Sequence, residues 1–348
     1  MLTIAGYTAI RKIGTGGFAD VYLCRQENPS RMVAVKAIKS EMLQDKVLNL
    51  FVKEIKLLAQ LGDHPHIMKV YDSGLSLNGR PYCAMEYCER VLSNVIKRQV
   101  LDTAQLLDVG ISLCDAVKLS HDAGILHRDI KPSNLMYSSY GQLLLSDFGI
   151  ARVLDDDYFS TAMSKHWSAP EVVSRKSEAT KQSDIYSIGT TLYALCTGHN
   201  PFAEDDTRKL QSSIINGKYD KTITSGIPVS IRNIINKAMN KNIDIRYKAV
   251  SEILEDLQKV QVSLGLPPTK TYTDDLYGHP QIHGTSEYSF PDYSVGTNTQ
   301  RDYKTSSSRL STAHIQELEE QAEQVKKQKA IIVGLVVLLV IFTGALLF

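Results

Sequence analysis

His127-Arg128-Asp129-Ile130-Lys131-Pro132-Ser133-Asn134 is the stretch from which the rest of the chain is read. It sets a carboxylate between an arginine and a lysine, with a carboxamide at Asn134. Asp147-Phe148-Gly149 supplies a second carboxylate thirteen residues after that amide, and Ala169-Pro170-Glu171 follows. Order and spacing say more than any run alone. Brought together by folding, the oxygens of Asp129, Asn134 and Asp147 could hold metal-bound phosphates and orient a hydroxyl nucleophile. A lone aspartate would read as a cap or a surface charge.

Working outward, Gly14-Thr15-Gly16-Gly17-Phe18-Ala19-Asp20-Val21 is a glycine-rich turn whose backbone N–H groups can approach phosphate oxygens. Val33-Ala34-Val35-Lys36 alternates as a strand. Asp45–Gln60 has helical spacing, with Val47, Leu50, Phe51, Ile55 and Leu58 on one side. Thr103–Asp122 is an amphipathic helix. Asp184–Thr197 is a more apolar, central one, and Ile231–Met239 and Ala249–Val260 close the helical region.

These runs resemble the protein-kinase superfamily in its eukaryotic-like (Hanks-type) serine/threonine branch, over roughly Tyr7 to Val262. The resemblance implies an α+β fold of two lobes: a small β-rich N-lobe at about 7–88 and a larger helical C-lobe at about 89–262. It implies ATP and Mg2+ as cofactors. Ile13, Gly14, Gly16, Gly17 and Val21 would cover the nucleotide. Lys36 would bind its phosphates and pair with Glu54, which helix phase selects because Phe51 and Leu58 flank it on the core side. Glu86 and Cys88, in the hinge run Met85–Glu89, would bond the adenine through backbone groups. Ala34 and Leu135 would sandwich it with Ile13 and Val21, although each of these is also ordinary core material. Asp129 would be the catalytic base, Lys131 would neutralise the migrating phosphoryl group, and Asn134 and Asp147 would hold Mg2+.

Further implied roles are structural. His127 and Phe148 pack. Asp184 holds the catalytic-loop backbone. Glu171 and Arg246 form a buried ion pair, and His64-Pro65-His66-Ile67 is the loop after the first helix. Arg128 would face a phosphorylated loop between Ile150 and Ser168, with Ser160 or Thr161 the expected phosphoacceptor; Asp155, Asp156 and Asp157 could pair with it instead. Met163 and Trp167 depart from the family's usual glycine and tyrosine and make the peptide-binding shelf bulkier.

The chain has 348 residues, 43% of them hydrophobic, and a net charge of +1. It is long enough for one large domain with appendages, and nothing global points to nucleic acid. Five scattered cysteines without a C-x-x-C pair suggest neither a disulfide framework nor a zinc site, and fit a reducing cytoplasm. Met1–Lys12 does not read as a signal peptide. Prolines and small polar residues over 265–311 read as a disordered linker. Residues 312–329 turn helical, with acids before bases; Ile315, Leu318, Ala322 and Val325 could form a short seam for self-association, or the segment is a stem. Ala330–Phe348 is nineteen uncharged residues, fourteen of them Leu, Ile, Val or Phe. As a helix it would be about 28 Å long, enough to span a membrane once; the alternative is a buried core helix. Lys326, Lys327 and Lys329 precede it and favour a cytoplasmic catalytic domain.

The expectation is therefore a membrane-tethered serine/threonine protein kinase acting on protein substrates. The rivals are a kinase-like scaffold (pseudokinase), disfavoured because Lys36, Asp129, Asn134 and Asp147 are all present, and a small-molecule kinase, disfavoured by Ala169–Glu171 and Lys131.

Overall fold

The chain before Glu86 forms a five-stranded antiparallel sheet in the order β1-β2-β3-β5-β4. Its strands are β1 (Tyr7–Thr15), β2 (Ala19–Gln26), β3 (Arg31–Ile38), β4 (Val70–Leu75) and β5 (Pro81–Glu86), with helix α1 (Asp45–Leu61) between β3 and β4. The computed structural model describes residues 2–62, 64–148, 165–202, 204, 206–221, 226–269 and 271.

Period-2 alternation divides the sheet into two faces. Val33, Val35 and Ala37 of β3 join Cys24, Tyr82 and Ala84 on the outer face, where Leu2 and Ile4 cover them. Residues 2–5 thus extend the folded unit before Tyr7. Leu77 N–H donates to the Thr3 carbonyl at 2.9 Å, and Glu27 N–H to that of Gly6. The inner face carries Ala34 and Lys36, which pair in register with Met85 and Cys83. α1 lies on this side and buries Val47, Leu50, Phe51, Ile55 and Leu58, as its spacing predicts.

β6 (Arg90–Val91) and α2 (Leu92–Ile96) lead into the helical lobe. There α3 (Thr103–Asp122) has the predicted bounds because Asp102 caps it: its carboxylate accepts from Gln105 N–H, and the Gln105 side chain accepts from Asp102 N–H. β7 (Leu135–Tyr137) and β8 (Leu143–Leu145) form a small sheet with β6. Then come α4 (Pro170–Val173), α5 (Lys181–Thr197), α6 (Thr207–Asn216), α7 (Val229–Ala238) and α8 (Val250–Ser263).

α3, α5 and α8 cross closely because Gly110 leaves room. A methyl there would lie 3.1 Å from Leu192 and from Leu257. Gly189 does the same between α5 and α7. The linker assigned from 265 begins later than its composition suggests, since Leu266 packs on the main core and Thr269 is bonded. The rest of that linker, the helical stem and the Ala330–Phe348 span lie outside the described residues. Among the described residues no helix is long and apolar enough to cross a membrane.

Candidate active site

The buried α1 face aims Glu54 at β3. Lys36 Nζ lies 2.8 Å from Glu54 Oε1 and 2.8 Å from Asp147 Oδ1. Burial alone would lower the Lys36 pKa, but the two carboxylates reverse it and hold the ammonium firmly charged. The same ammonium keeps Asp147 below the usual carboxylate range. Glu54 is pushed upward by its own burial, with Lys36 opposing.

Above this cluster, Gly14 pairs in register with Val21, and Val21 with Lys36, so the glycine-rich turn and the lysine share a sheet face. Gly16 N–H donates to the Ala19 carbonyl at 2.8 Å, and the Phe18 ring centre lies 5.7 Å from Lys36 Nζ. Ala19, which replaces the family's third glycine, is buried in the core. Ile13 and Val21 are half-buried and Ala34 is buried, opposite Met85. Leu135, fully buried, is carried on β7 of the other lobe. Glu86 ends β5 and is fixed by its N–H to the Lys69 carbonyl at 3.0 Å. Cys88 is half-buried just beyond, its thiol pushed up to about 12 by burial and Glu86.

The catalytic-loop candidates are held from below. The Asp184 carboxylate, on α5, accepts from His127 N–H and Arg128 N–H, both at 2.8 Å. His121 Nε2 is 2.9 Å from the same group and donates to it. These bonds stabilise Arg128 in a left-handed conformation (φ 66°), which is unfavourable for a residue with a side chain. The loop then turns so that Lys131 Nζ reaches Asp129 Oδ2 at 2.7 Å. Asn134 Nδ2 donates to the Asp129 carbonyl at 2.7 Å and to Asp129 Oδ2 at 3.1 Å. With its nitrogen so engaged, the amide's orientation is fixed and its oxygen is the end available to a cation.

Ser146 joins the two halves, and nothing in the sequence reading singled it out. Its N–H donates to the Asn134 carbonyl at 2.9 Å, its carbonyl accepts from His127 Nε2, and its hydroxyl lies 3.3 Å from Asp147 Oδ2. His127 is buried against Phe148, with ring centres 4.5 Å apart, and burial lowers its pKa, so the neutral ring is a packing and hydrogen-bonding element. Asp147 is also left-handed (φ 56°) and keeps 42% of its side chain accessible. An amide oxygen and an accessible carboxylate are hard donors suited to Mg2+, so Asn134 and Asp147 fit the expected metal role.

The structural roles follow the same pattern. Arg246 binds Glu171 through two bonds, of 2.7 and 3.1 Å. His64 lies 3.3 Å from Asp115, and His66 Nδ1 contacts the Leu143 carbonyl, tying the loop after α1 to the helical lobe. Residues 7–257 fit the family described as protein kinase domain. The chain belongs to the protein kinase family.

It is similar to serine/threonine-protein kinase PknK of Mycobacterium bovis, at 33% identity over 265 residues that cover 74% of this chain and 24% of PknK. It is also similar to serine/threonine-protein kinase PknB of Mycobacterium leprae, at 32% identity over 279 residues that cover 75% of this chain and 44% of PknB. The chain therefore spans less than half the length of these relatives. The kinase-family loop Ile150–Ser168 is described only from Lys165. Ser160, Thr161, Ser164, Met163 and Asp155–Asp157 lie outside the described residues. The turn Lys165–Ser168 is fixed by its own bond, from Ser168 N–H to the Lys165 carbonyl at 3.0 Å, and by Ser187 Oγ, which donates to the Trp167 carbonyl at 2.8 Å.

Proposed function

We propose that the chain is a serine/threonine protein kinase that transfers the γ-phosphoryl group of ATP to protein hydroxyls. The supporting observation is the continuous chain of contacts from Glu54 through Lys36, Asp147 and Ser146 to Asn134, Asp129 and Lys131. It combines a charged lysine for phosphate, two oxygen donors for a metal, and a carboxylate beside a second lysine. The two relatives, both serine/threonine-protein kinases by name, favour protein over metabolite as acceptor.

In this reading the substrate hydroxyl oxygen bonds to the γ-phosphorus while the bond to the ADP oxygen breaks. Asp129 orients the hydroxyl and takes its proton, and Lys131 faces the negative charge in transit. Lys36, positioned by Glu54, holds the nucleotide phosphates. Magnesium held by Asn134 and Asp147 supplies charge neutralisation when bound. The backbone near Glu86 and Cys88, with Ile13, Val21, Ala34 and Leu135, receives the adenine. The apolar run Ala330–Phe348, preceded by three lysines, supports a single membrane span with the kinase domain on the cytoplasmic side. Self-association through 312–329, and phosphorylation of Ser160 or Thr161 by a second copy, belong to the same reading.

Labelled ATP tests it. Wild type should label a generic protein acceptor, and Asp129→Asn and Asp147→Asn should each lose at least about a hundredfold. Equal labelling by the variants would refute the assignment, as would transfer to a metabolite alone.

A further inference from the structure

One threonine holds the outgoing end of the kinase domain. α8 ends at Ser263 and Gly265 turns the chain in a left-handed conformation (φ 65°). Leu266 then packs on the core, and its N–H donates to the Gln261 carbonyl at 3.1 Å. Gln261 is a polar side chain only 5% exposed. Its Oε1 accepts from Thr269 N–H at 3.2 Å, and its Nε2 donates to Thr269 Oγ1 at 2.9 Å. The Thr269 hydroxyl in turn donates to Asp108 Oδ1 on α3 at 3.0 Å. A buried amide needs partners at both ends, and here a single residue serves both. The hydroxyl's one proton goes to a carboxylate, so the arrangement depends on that oxygen being unmodified.

We propose that Thr269 is a phosphoacceptor, modified by a second copy of this chain, and that the phosphate opens the latch formed by Gln261 and Asp108. The proposal rests on the serine/threonine kinase reading. Thr269 Oγ1 bonds to the γ-phosphorus, ADP leaves, and the hydroxyl proton passes to Asp129 of the acting copy. The product has no hydroxyl proton for Asp108, and it sets roughly −1.5 to −2 units of charge against that carboxylate. Pro267, Pro268 and Thr269 belong to no helix or strand and are half-buried or exposed. The latch can therefore open locally, without unfolding of α3 or α8, and offer an extended stretch to a second active site.

The test uses the full chain in mild detergent with MgATP and myelin basic protein as a generic acceptor. Phosphosites are mapped, and hydrogen exchange is followed over 264–271. Phosphate is expected on Thr269, absent with Asp129→Asn, with exchange over that segment rising about tenfold, as for loss of one or two hydrogen bonds. Thr269→Val should show the same rise without ATP and leave labelling of the generic acceptor unchanged. Thr269→Ser should behave as wild type. Labelled acceptor with unmodified Thr269 overturns this proposal and leaves the kinase reading standing. Labelling of neither overturns both. Modified Thr269 with unchanged or slower exchange also overturns the release. That would be the outcome if Arg90, whose guanidinium lies 5.0 Å from the centre of the Tyr137 ring, captured the phosphate.

Discussion

Replacing Glu171 by Ala strands the Arg246 guanidinium, which is 0% exposed at its side chain. Two charge-assisted bonds of 2.7 and 3.1 Å are lost. Two others survive, from Nη1 to the Gln182 carbonyl at 2.8 Å and from Nε to the Asn240 carbonyl at 3.0 Å. Carbonyl dipoles do not cancel a full charge, so the loss falls in the range for breaking a buried pair, about 3–5 kcal/mol. At roughly 2–4 °C per kcal/mol for a domain of this size, Tm falls on the order of 10 °C. Glu171→Ala/Arg246→Leu removes both charges together. It should be no worse than Glu171→Ala alone, because nothing charged is left unpaired. Far-UV circular dichroism of the full chain in mild detergent reads both variants. A single variant within about 2 °C of wild type, or a double variant whose loss equals the sum of the two singles, refutes the reasoning.

Lys36→Met frees the Asp147 carboxyl, which the ammonium holds below its ordinary range. A depressed pKa contributes stability above the ordinary value of ~3.9 and loses it as pH falls through the depressed one. In the variant, Glu54, already raised by burial, takes its proton earlier, so the stability gap to wild type should narrow on acidification. Urea midpoints at stepped pH check this, and a widening gap refutes it. Ile4→Ala uncovers the outer sheet face and should cost about 2 kcal/mol in the same unfolding assay; no loss would mean that residues 2–5 do not seal it. Gly189→Ala puts a methyl 2.8 Å from Met239 Cγ and 2.9 Å from Ala238 Cβ and should cost about 1–3 kcal/mol. Gly17→Ala, with nothing within 4 Å, should stay within about 0.5 kcal/mol, and equal losses would refute the packing account.

What could be read in the sequence follows from the range of each interaction. α3 was legible to the residue because its start signal, Asp102 with Gln105, is local and its apolar period is long. α5 begins at Lys181, before the expected Asp184, because Thr180 and Ser183 form its cap. β1 shows almost no alternation because most of its side chains are exposed. Glu54 could be chosen by helix phase. The Lys36–Asp147 bond, across 111 residues, has no local trace, so the reading gave Asp147 to the metal alone. Ser146 acts mainly through its backbone, which residue identity does not reveal. The edges of the folded unit leave little trace for a related reason. Residues 2–5 are too few to show a period, and a proline-rich composition hides the pairing of Thr269 with Gln261.

α5 has a mechanical consequence. Asp184 grips the backbone at His127 and Arg128, and Ser187, one turn along, grips Trp167. Both segments hang from one stiff rod, so a tremor of the rod carries them in step and leaves their separation unchanged. Under the proposed kinase function, the gap between phosphoryl donor and acceptor would keep its width as that rod shifts. The cost is that any wobble introduced within this single turn would detune both at once.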